Sequence, residues 1–127
     1  MAKTGSFDHF GFEIGLCHFF LFCLFMQVDF PVQVTLLGVL TKGNPQAQEW
    51  VTKYTISFSN DVGFPTIWEN YQQPYGTDMV FTGNSDNGTQ QIVHFNSGIP
   101  ARHVRLNPKE WNGYIALQVD FFISKSG

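Results

Sequence analysis

Turn-forming residues interrupt this chain so often that a fold of long helices is excluded. From residue 27 onward, Gly and Asn recur at intervals of roughly 8–12 residues, and no long stretch repeats its apolar residues at the helical period. Short strands at this spacing predict an all-β fold, a sandwich or a barrel. In Trp50–Ser59 the side chains alternate, and one set is predicted to face the core: Thr52, Tyr54, Ile56 and Phe58. The other set is predicted to face outward: Val51, Lys53, Thr55 and Ser57.

Further short strands are predicted on both sides of this one. They are Val34–Leu40, Thr66–Tyr71, Met79–Phe81, Gln91–Phe95, Arg102–Leu106 and Tyr114–Phe122. Polar turns are predicted at 83–88 and at 96–100, because Asn, Ser, Gly and Pro cluster there. The second turn places His94 and His103 where they can face each other across a hairpin.

Size and charge limit the function classes. The chain has 127 residues, enough for one domain, and 43% of them are hydrophobic, which is too apolar for a disordered chain. The net charge is −3, and the seven basic residues are scattered singly. A nucleic-acid partner is therefore not expected, and strong attraction to anionic lipid is disfavoured.

The first 30 residues are unusually rich in Phe, with eight of the 14 in the chain. Ile14–Val28 contains no formally charged residue. Three interpretations remain open: one or two buried strands, a secretory signal, or an interfacial segment. The apolar core of this stretch, Leu16–Met26, is shorter than the roughly 20 residues of a membrane-spanning helix. Cys17 and Cys23 are too far apart along an extended or helical segment to be bridged to each other.

No catalytic motif and no cofactor site is predicted. Zinc-protease, nucleophile-elbow and Gly-rich phosphate-loop motifs are absent from the sequence. The segment Asn84–Thr89 alternates oxygen-bearing side chains but lacks the Gly and Glu of a calcium-binding EF-hand loop. A turn in which Asn and Asp side chains bond their own backbone explains it better.

Four motifs in order carry a resemblance to a known family. They are MQVDF (26–30), WVTKYTISFSND (50–61), VFTGNSDNGTQQIVHF (80–95) and IPARHVRLNPKEWNGYIALQVDFF (99–122). Over about residues 27–122 the chain resembles the C-terminal domain of coagulation factors V and VIII, the discoidin domain. The resemblance implies an antiparallel β-sandwich of jelly-roll type, like galactose-binding domains. It also implies a mostly extracellular, non-catalytic module whose loops at one end bind phospholipid head groups, sugars, collagen or other proteins.

The chain departs from the family pattern in ways that matter for function. The Phe-rich residues 1–26 stand where the family has further strands and two more ligand-facing loops, so the sandwich is expected to be incomplete. The family disulfide is missing, because Ile123 and the residues after it include no Cys. Gln118 stands where many members have Arg, and the loop 43–49 lacks the large apolar tips of lipid-binding members. Weak or no membrane binding is therefore expected.

Three Trp residues are candidate site residues: Trp50, Trp68 and Trp111. Trp111 is either a platform on which a sugar stacks or a plug that closes the end of the sandwich, and the resemblance favours the plug. Trp50 lies beside the loop 43–49 and suits either role. The alternation does not decide whether Trp68 points inward or outward. Arg102 and Arg105 lie on opposite faces of one strand, so one is expected in solvent and the other in a capping or paired role.

The sequence therefore predicts a non-catalytic, secreted recognition or adhesion module, with a Phe-rich segment at 1–26 and a discoidin-like domain at 27–127. Its expected ligand is a carbohydrate or glycoprotein, and the alternative is a protein–protein or self-association module. The predicted ligand-binding residues are Lys42, Asn44, Gln46, Gln48, Trp50, Asp29, Asn84 and Asp86. Asn87 is a candidate glycosylation site, since Asn87-Gly88-Thr89 is a sequon.

The Phe-rich segment leads to a prediction about assembly. A sandwich without its leading strands would expose an unpaired edge and an apolar face. Ile14–Met26 has the apolar area to cover that face, in its own chain or in a neighbour. We therefore expect residues 14–26 to be ordered and buried, and the protein to be at least a dimer.

Overall fold

The computed structural model describes residues 7–12 and 25–125, and every regular element in them is a β-strand. The strands are β1 (Phe7–Phe12), β2 (Met26–Lys42), β3 (Trp50–Ser59), β4 (Glu69–Asn70), β5 (Phe81–Thr82), β6 (Gln91–Asn112) and β7 (Gln118–Lys125). They pair antiparallel in the order β1-β7-β2-β6-β3-β4, with β5 beside β3. The predicted all-β antiparallel fold is confirmed. Within these residues there is no helix that could span a membrane.

The two long strands, β2 and β6, run through both layers of the sandwich. Residues 26–29 of β2 pair with 103–106 of β6, which also pair with β3. Residues 34–42 of β2 pair instead with β7 and with the first half of β6. The register shifts between Asp29 and Val34, around Pro31, which has no N–H to donate to a ladder. Both strands thus change layer, and the sheet closes over one core.

Side chains from both layers fill that core. Ile56 of β3 and Phe121 of β7 belong to one buried cluster, although their strands lie far apart in the strand order. Tyr54 and Ile56 are buried as predicted. Val51 is also fully buried, so its predicted outward orientation is wrong. Register shifts on both sides of Lys53 break the alternation of β3 against β6.

Thr55 and Ser57 are buried as well, so their predicted outward exposure is also wrong. Their hydroxyls accept hydrogen bonds from Asn107 Nδ2 at 3.2 and 3.0 Å. A polar side chain on the neighbouring strand therefore covers this face of β3, which a pattern within β3 alone cannot reveal.

The turn predicted at 96–100 is not formed, and Gln91–Asn112 is one strand. Leu36 of β2 pairs with Ile99 of β6, and Gly38, two residues later, pairs with His94. Residues 95–98 of β6 therefore have no partner in this ladder and form a bulge. His94 and His103 therefore lie on the same strand and do not face each other across a hairpin. β2 supplies hydrogen-bonding partners on both sides of the bulge, which keeps the strand continuous.

The N-terminal strand joins the same sheet, because β1 pairs with β7 from Phe7↔Ser124 to Phe12↔Val119. Most of the predicted buried segment 14–26, with Cys17 and Cys23, lies outside the described residues. Of its two described members, Met26 is 4% exposed and Phe25 is 38% exposed. Burial is thus correct for Met26 but not for Phe25.

Candidate ligand-binding surface

The loop between β2 and β3, residues 43–49, is closed by its own hydrogen bonds. The Asn44 backbone N–H donates to Glu49 O at 3.0 Å, and its Nδ2 donates to Glu49 Oε1 at 3.0 Å. Asn44 Oδ1 accepts from the Gln46 N–H at 3.0 Å. A Cβ on Gly43 would lie 2.5 Å from Glu49 O, so the closure requires Gly there. The loop is fixed before any ligand arrives.

A second loop, residues 83–89, packs against the first. Asp86 holds it with Oδ1, which accepts from the N–H groups of Gly88 and Thr89 at 3.0 and 2.7 Å. The predicted turn with side-chain-to-backbone hydrogen bonds is therefore confirmed. Asn87 Nδ2 donates across the gap to Ala47 O at 3.0 Å and to Pro45 O at 3.4 Å. Asn87 thus joins the two loops.

The turn between β6 and β7, residues 112–114, completes the surface. Asn112 Nδ2 donates to Gln48 O at 3.0 Å, and Gly113 takes a left-handed φ of 70°. Trp111 and Tyr114 flank this turn with 47% and 57% of their surface exposed. Residues 43–49, 83–89 and 112–114 together, with Lys42, Trp50 and Trp111 at their edges, are called the three-loop surface below.

The predicted site residues take different roles on this surface. Gln46 and Gln48 have exposed side chains, and Lys42 and Trp50 are half-buried at its edge. Asn44 is 8% exposed, and Asn84 is 3% exposed because its Nδ2 donates to Thr41 O and Thr89 O. These two amides support the loops from inside. The structure brings seven of the eight predicted ligand-binding residues together: Lys42, Asn44, Gln46, Gln48, Trp50, Asn84 and Asp86.

Asp29 does not lie on the three-loop surface. It pairs with His103 in the ladder, and His103 pairs with Ser59, whereas the surface begins at the opposite end of β3, at Trp50. The nine steps along β3 from Trp50 to Ser59 span about 30 Å at roughly 3.3 Å per residue. Asp29 Oδ1 is 2.7 Å from His103 Nδ1 and accepts from Gln27 Nε2 at 2.8 Å.

The surroundings of Asp29 form a structural network of their own. Partial burial raises the pKa of Asp29. The hydrogen bonds from Gln27 and His103, with the charges of His103 and Arg105, lower it by more, so the pKa lies below its ordinary value. Arg105 lies between the rings of Phe25 and Trp68, 3.8 and 3.9 Å from their centroids. Trp68, whose inward or outward orientation the sequence left open, is half-buried with its ring against Arg105.

The turn between β6 and β7 was not part of the predicted ligand-binding site, and it adds Trp111, Asn112 and Tyr114 to the surface. The motif EWNGY carried a usable signal, because Asn-Gly marks a turn and aromatic residues flank it. Trp111 lies in β6 opposite Val51 rather than in a loop. Its exposure favours the platform over the plug.

The ionisable side chains of the surface are Lys42, Glu49, Asp86 and Tyr114. In the described part of the chain, no group of three or more His, Cys, Asp or Glu side chains could hold a metal ion. Asp86 uses both carboxylate oxygens within its own loop, and the hydrogen bonds from the backbone and hydroxyl of Thr89 and from Gly88 lower its pKa. What the surface offers is exposed amides, one Lys, aromatic rings and the carboxylates of Glu49 and Asp86, which are bonded within their own loops.

A cavity of about 670 Å³ lies away from the three-loop surface. It is bounded by residues 70–74 and 79–82 on one side and by 93–99 of β6 on the other. Phe81 and Tyr71 at its floor contact each other and Phe95, with ring centroids 5.1–6.0 Å apart. Among the described residues, 91–101 of β6 pair with β2 alone, so the cavity lies beside an open sheet edge.

With this geometry in place, comparison with known proteins assigns the family. A family model described as F5/8 type C domain matches residues 24–121. The chain belongs to the F5/8 type C domain family. The resemblance in the sequence motifs is therefore confirmed, and β2 through β7 carry the family domain.

The chain matches only part of the length of its relatives in the F5/8 type C domain family. Retinoschisin of Takifugu rubripes is 32% identical over 98 residues, which are 77% of this chain and 34% of the relative. The chain thus spans about a third of that relative's length.

Two solved structures share the fold. Discoidin II from Dictyostelium discoideum has a TM-score of 0.70 at 21% identity, over 81% of this chain and 38% of that one. The family 32 CBM from C. perfringens NanJ, solved in complex with galactose, has a TM-score of 0.53 at 15% identity, over 77% and 65%. The predicted β-sandwich with a galactose-binding-like architecture is confirmed.

Proposed function

We propose that this chain is a non-catalytic, extracellular recognition module that binds carbohydrate through the three-loop surface. The observation that carries the proposal is a pre-formed surface on which the exposed amides of Gln46 and Gln48 lie beside partly exposed aromatic rings. Amides donate and accept hydrogen bonds with sugar hydroxyls, and rings stack on sugar faces. Because the loops are already closed, little conformational entropy is lost on binding.

The structural neighbours support this ligand class. One of them was solved with galactose bound, and a fold of this kind therefore accommodates a sugar. The extracellular setting rests on the family resemblance, as does the role in recognition or adhesion. The mixed polar and aromatic character of the surface suits a glycan better than it suits an apolar ligand.

A glycan array with matched variants tests the proposal. Gln48→Ala and Trp111→Ala each remove one surface contact and should weaken binding roughly fivefold to tenfold, since such a contact contributes about 1 kcal/mol. Phe64→Ala is the control, because Phe64 is 87% exposed in the turn that follows β3, at the opposite end. Binding that survives both surface variants unchanged would exclude this surface.

A second function, self-association, is favoured by the open edge of β6. Val80 and Ile92 are 48% and 49% exposed beside the cavity, and an unpaired strand edge is a template for another chain. If the protein binds no glycan on the array and sediments as a stable oligomer, self-association is favoured over carbohydrate binding.

A further inference from the structure

Both Asn-Gly dipeptides of the chain hold the same loop. Asn87-Gly88 and Asn112-Gly113 are the two places where Gly follows Asn in the sequence. Asn87 Nδ2 donates to Ala47 O and Pro45 O, and Asn112 Nδ2 donates to Gln48 O. Two side-chain amides thus tie the loop 43–49 to its neighbours. Both belong to an Asn followed by Gly, the dipeptide in which Asn most readily reacts without an enzyme.

The change is deamidation, and its steps are those of ordinary amide chemistry. The backbone nitrogen of the Gly loses its proton and bonds to the Asn side-chain carbonyl carbon, while the bond to Nδ2 breaks and ammonia leaves. Water then opens the resulting five-membered imide at either carbonyl. The net reaction converts an amide and water into ammonia and a carboxylate, on aspartate or isoaspartate. Gly permits the attack because it has no Cβ beside the nitrogen.

The two sites differ in how firmly the attacking nitrogen is held. Gly88 N donates to Asp86 Oδ1 at 3.0 Å, so its proton and lone pair are fixed by the turn. The lowered pKa of Asp86 keeps that acceptor charged at neutral pH. At the corresponding position, two residues before Gly113, stands Trp111, which has no acceptor.

The side chains differ in the same direction. Asn87 is half-buried, and its Nδ2 has two carbonyl acceptors. Asn112 is exposed, and its Nδ2 donates to Gln48 O at 3.0 Å. Reaching the attacking geometry therefore disrupts less structure at Asn112 than at Asn87.

We propose that Asn112 is a site of spontaneous deamidation that unties the loop 43–49, while Asn87 is protected by Asp86. After conversion, the residue at 112 offers carboxylate oxygens to the Gln48 carbonyl, which is also an acceptor. The hydrogen bond is replaced by repulsion, so the loop loses this tie while its tie to Asn87 remains.

Peptide mapping by mass spectrometry tests the order of conversion. The folded full chain is incubated at mildly alkaline pH, and the peptides with Asn87 and Asn112 are followed over time. Asn112 should convert several-fold faster than Asn87, and in urea the two rates should approach each other. Equal rates in the folded chain, or faster conversion of Asn87, would overturn the proposal.

Two variants separate the protection from the release of the loop. Asp86→Ala should speed conversion of Asn87 and leave Asn112 unchanged. Asn112→Asp should shift the backbone amide NMR signals of residues 47–49 in the same way as the aged protein does. Asn112→Gln, which retains an amide, should shift them less. Unchanged signals in Asn112→Asp would show that the tether does not hold the loop.

Discussion

At the scale of single residues, the side-chain amides of the three-loop surface form two groups, those bonded within the protein and those exposed to solvent. Asn44, Asn87 and Asn112 turn their side chains onto neighbouring carbonyl or carboxylate oxygens, whereas Gln46 and Gln48 leave theirs in solvent. Asn is the shorter side chain and is suited to bonding a backbone close by. The loop 43–49 stays a prediction as a binding site, and the sequence did not separate its supporting amides from its exposed ones.

This division changes what two alanine substitutions should do. Asn44→Ala removes two hydrogen bonds inside a buried corner and should lower the free energy of unfolding by about 1–3 kcal/mol. Gln48→Ala removes an exposed side chain and should leave stability within about 0.5 kcal/mol while weakening ligand binding. Urea denaturation and glycan binding, measured on the same samples, give the two readouts.

Gln46→Ala is the matched control for stability, because it also removes an exposed amide from the loop 43–49 and should leave the free energy of unfolding nearly unchanged. A Gln48→Ala protein that loses as much stability as Asn44→Ala would show that Gln48 is a support. An Asn44→Ala protein with unchanged stability would show that the closure of the loop does not depend on its side chain.

At the scale of elements, local patterns located strands better than they bounded them, since β4 is only Glu69–Asn70 and β7 is Gln118–Lys125. β3 was predicted with its observed bounds, because ten residues of alternating and β-branched side chains are bounded by polar loops. The turn within β6 was wrong, because Asn, Ser, Gly and Pro are typical of turns but β2 pairs on both sides of them. The pairing with β2, more than 50 residues away in sequence, made this segment a strand, and a local pattern of ten residues does not include that partner.

The turn after β3 contains a carboxylate whose protonation should open it. Asp61 Oδ2 accepts from the N–H groups of Thr66 and Ile67 at 2.7 and 2.9 Å. These bonds lower the pKa of Asp61 below its ordinary value of 3.8. The stabilisation is therefore fully present above that value and is lost as pH falls through the lower folded pKa.

We expect the turn to stay closed at about pH 5 and to open only in stronger acid. The amide proton shifts of Thr66 and Ile67, followed by NMR, should titrate with a midpoint below 3.8. Asp61→Asn keeps an acceptor oxygen but does not titrate there, so its shifts should stay flat. A midpoint at or above the ordinary value would mean that these bonds do not hold the carboxylate.

At the scale of the whole molecule, charge and loop composition argue against a membrane partner. The net charge is −3, and the exposed tips of the loop 43–49 are the amides of Gln46 and Gln48. We expect binding to phosphatidylserine vesicles with a dissociation constant above about 1 μM, measured by sedimentation at physiological salt.

A gain-of-function variant sharpens that measurement. Replacing both Gln46 and Gln48 by Leu supplies apolar tips and should strengthen vesicle binding. Nanomolar binding by the unmodified chain would show that lipid recognition does not need such tips in this molecule.

Removal of the N-terminal segment should damage the whole fold. Deleting residues 1–26 removes the strand that covers β7 and the buried side chain of Met26. The exposed edge should drive aggregation, detectable by light scattering and analytical ultracentrifugation. Deleting only residues 1–6 keeps β1 and is the control. A soluble monomeric 27–127 fragment with an unchanged melting temperature would show that this segment is dispensable.

The passage of β2 and β6 through both layers has a kinetic consequence. β2 meets β6 through pairs as distant in sequence as Met26 and Leu106, so the native contacts that define each layer form across most of the chain. High contact order of this kind slows folding. During synthesis, neither β2 nor β3 has its principal partner until residues 91–112 have left the ribosome. β1 waits longer still, because its partner β7 is made last of the strands, and this is the interval in which a chaperone would be needed.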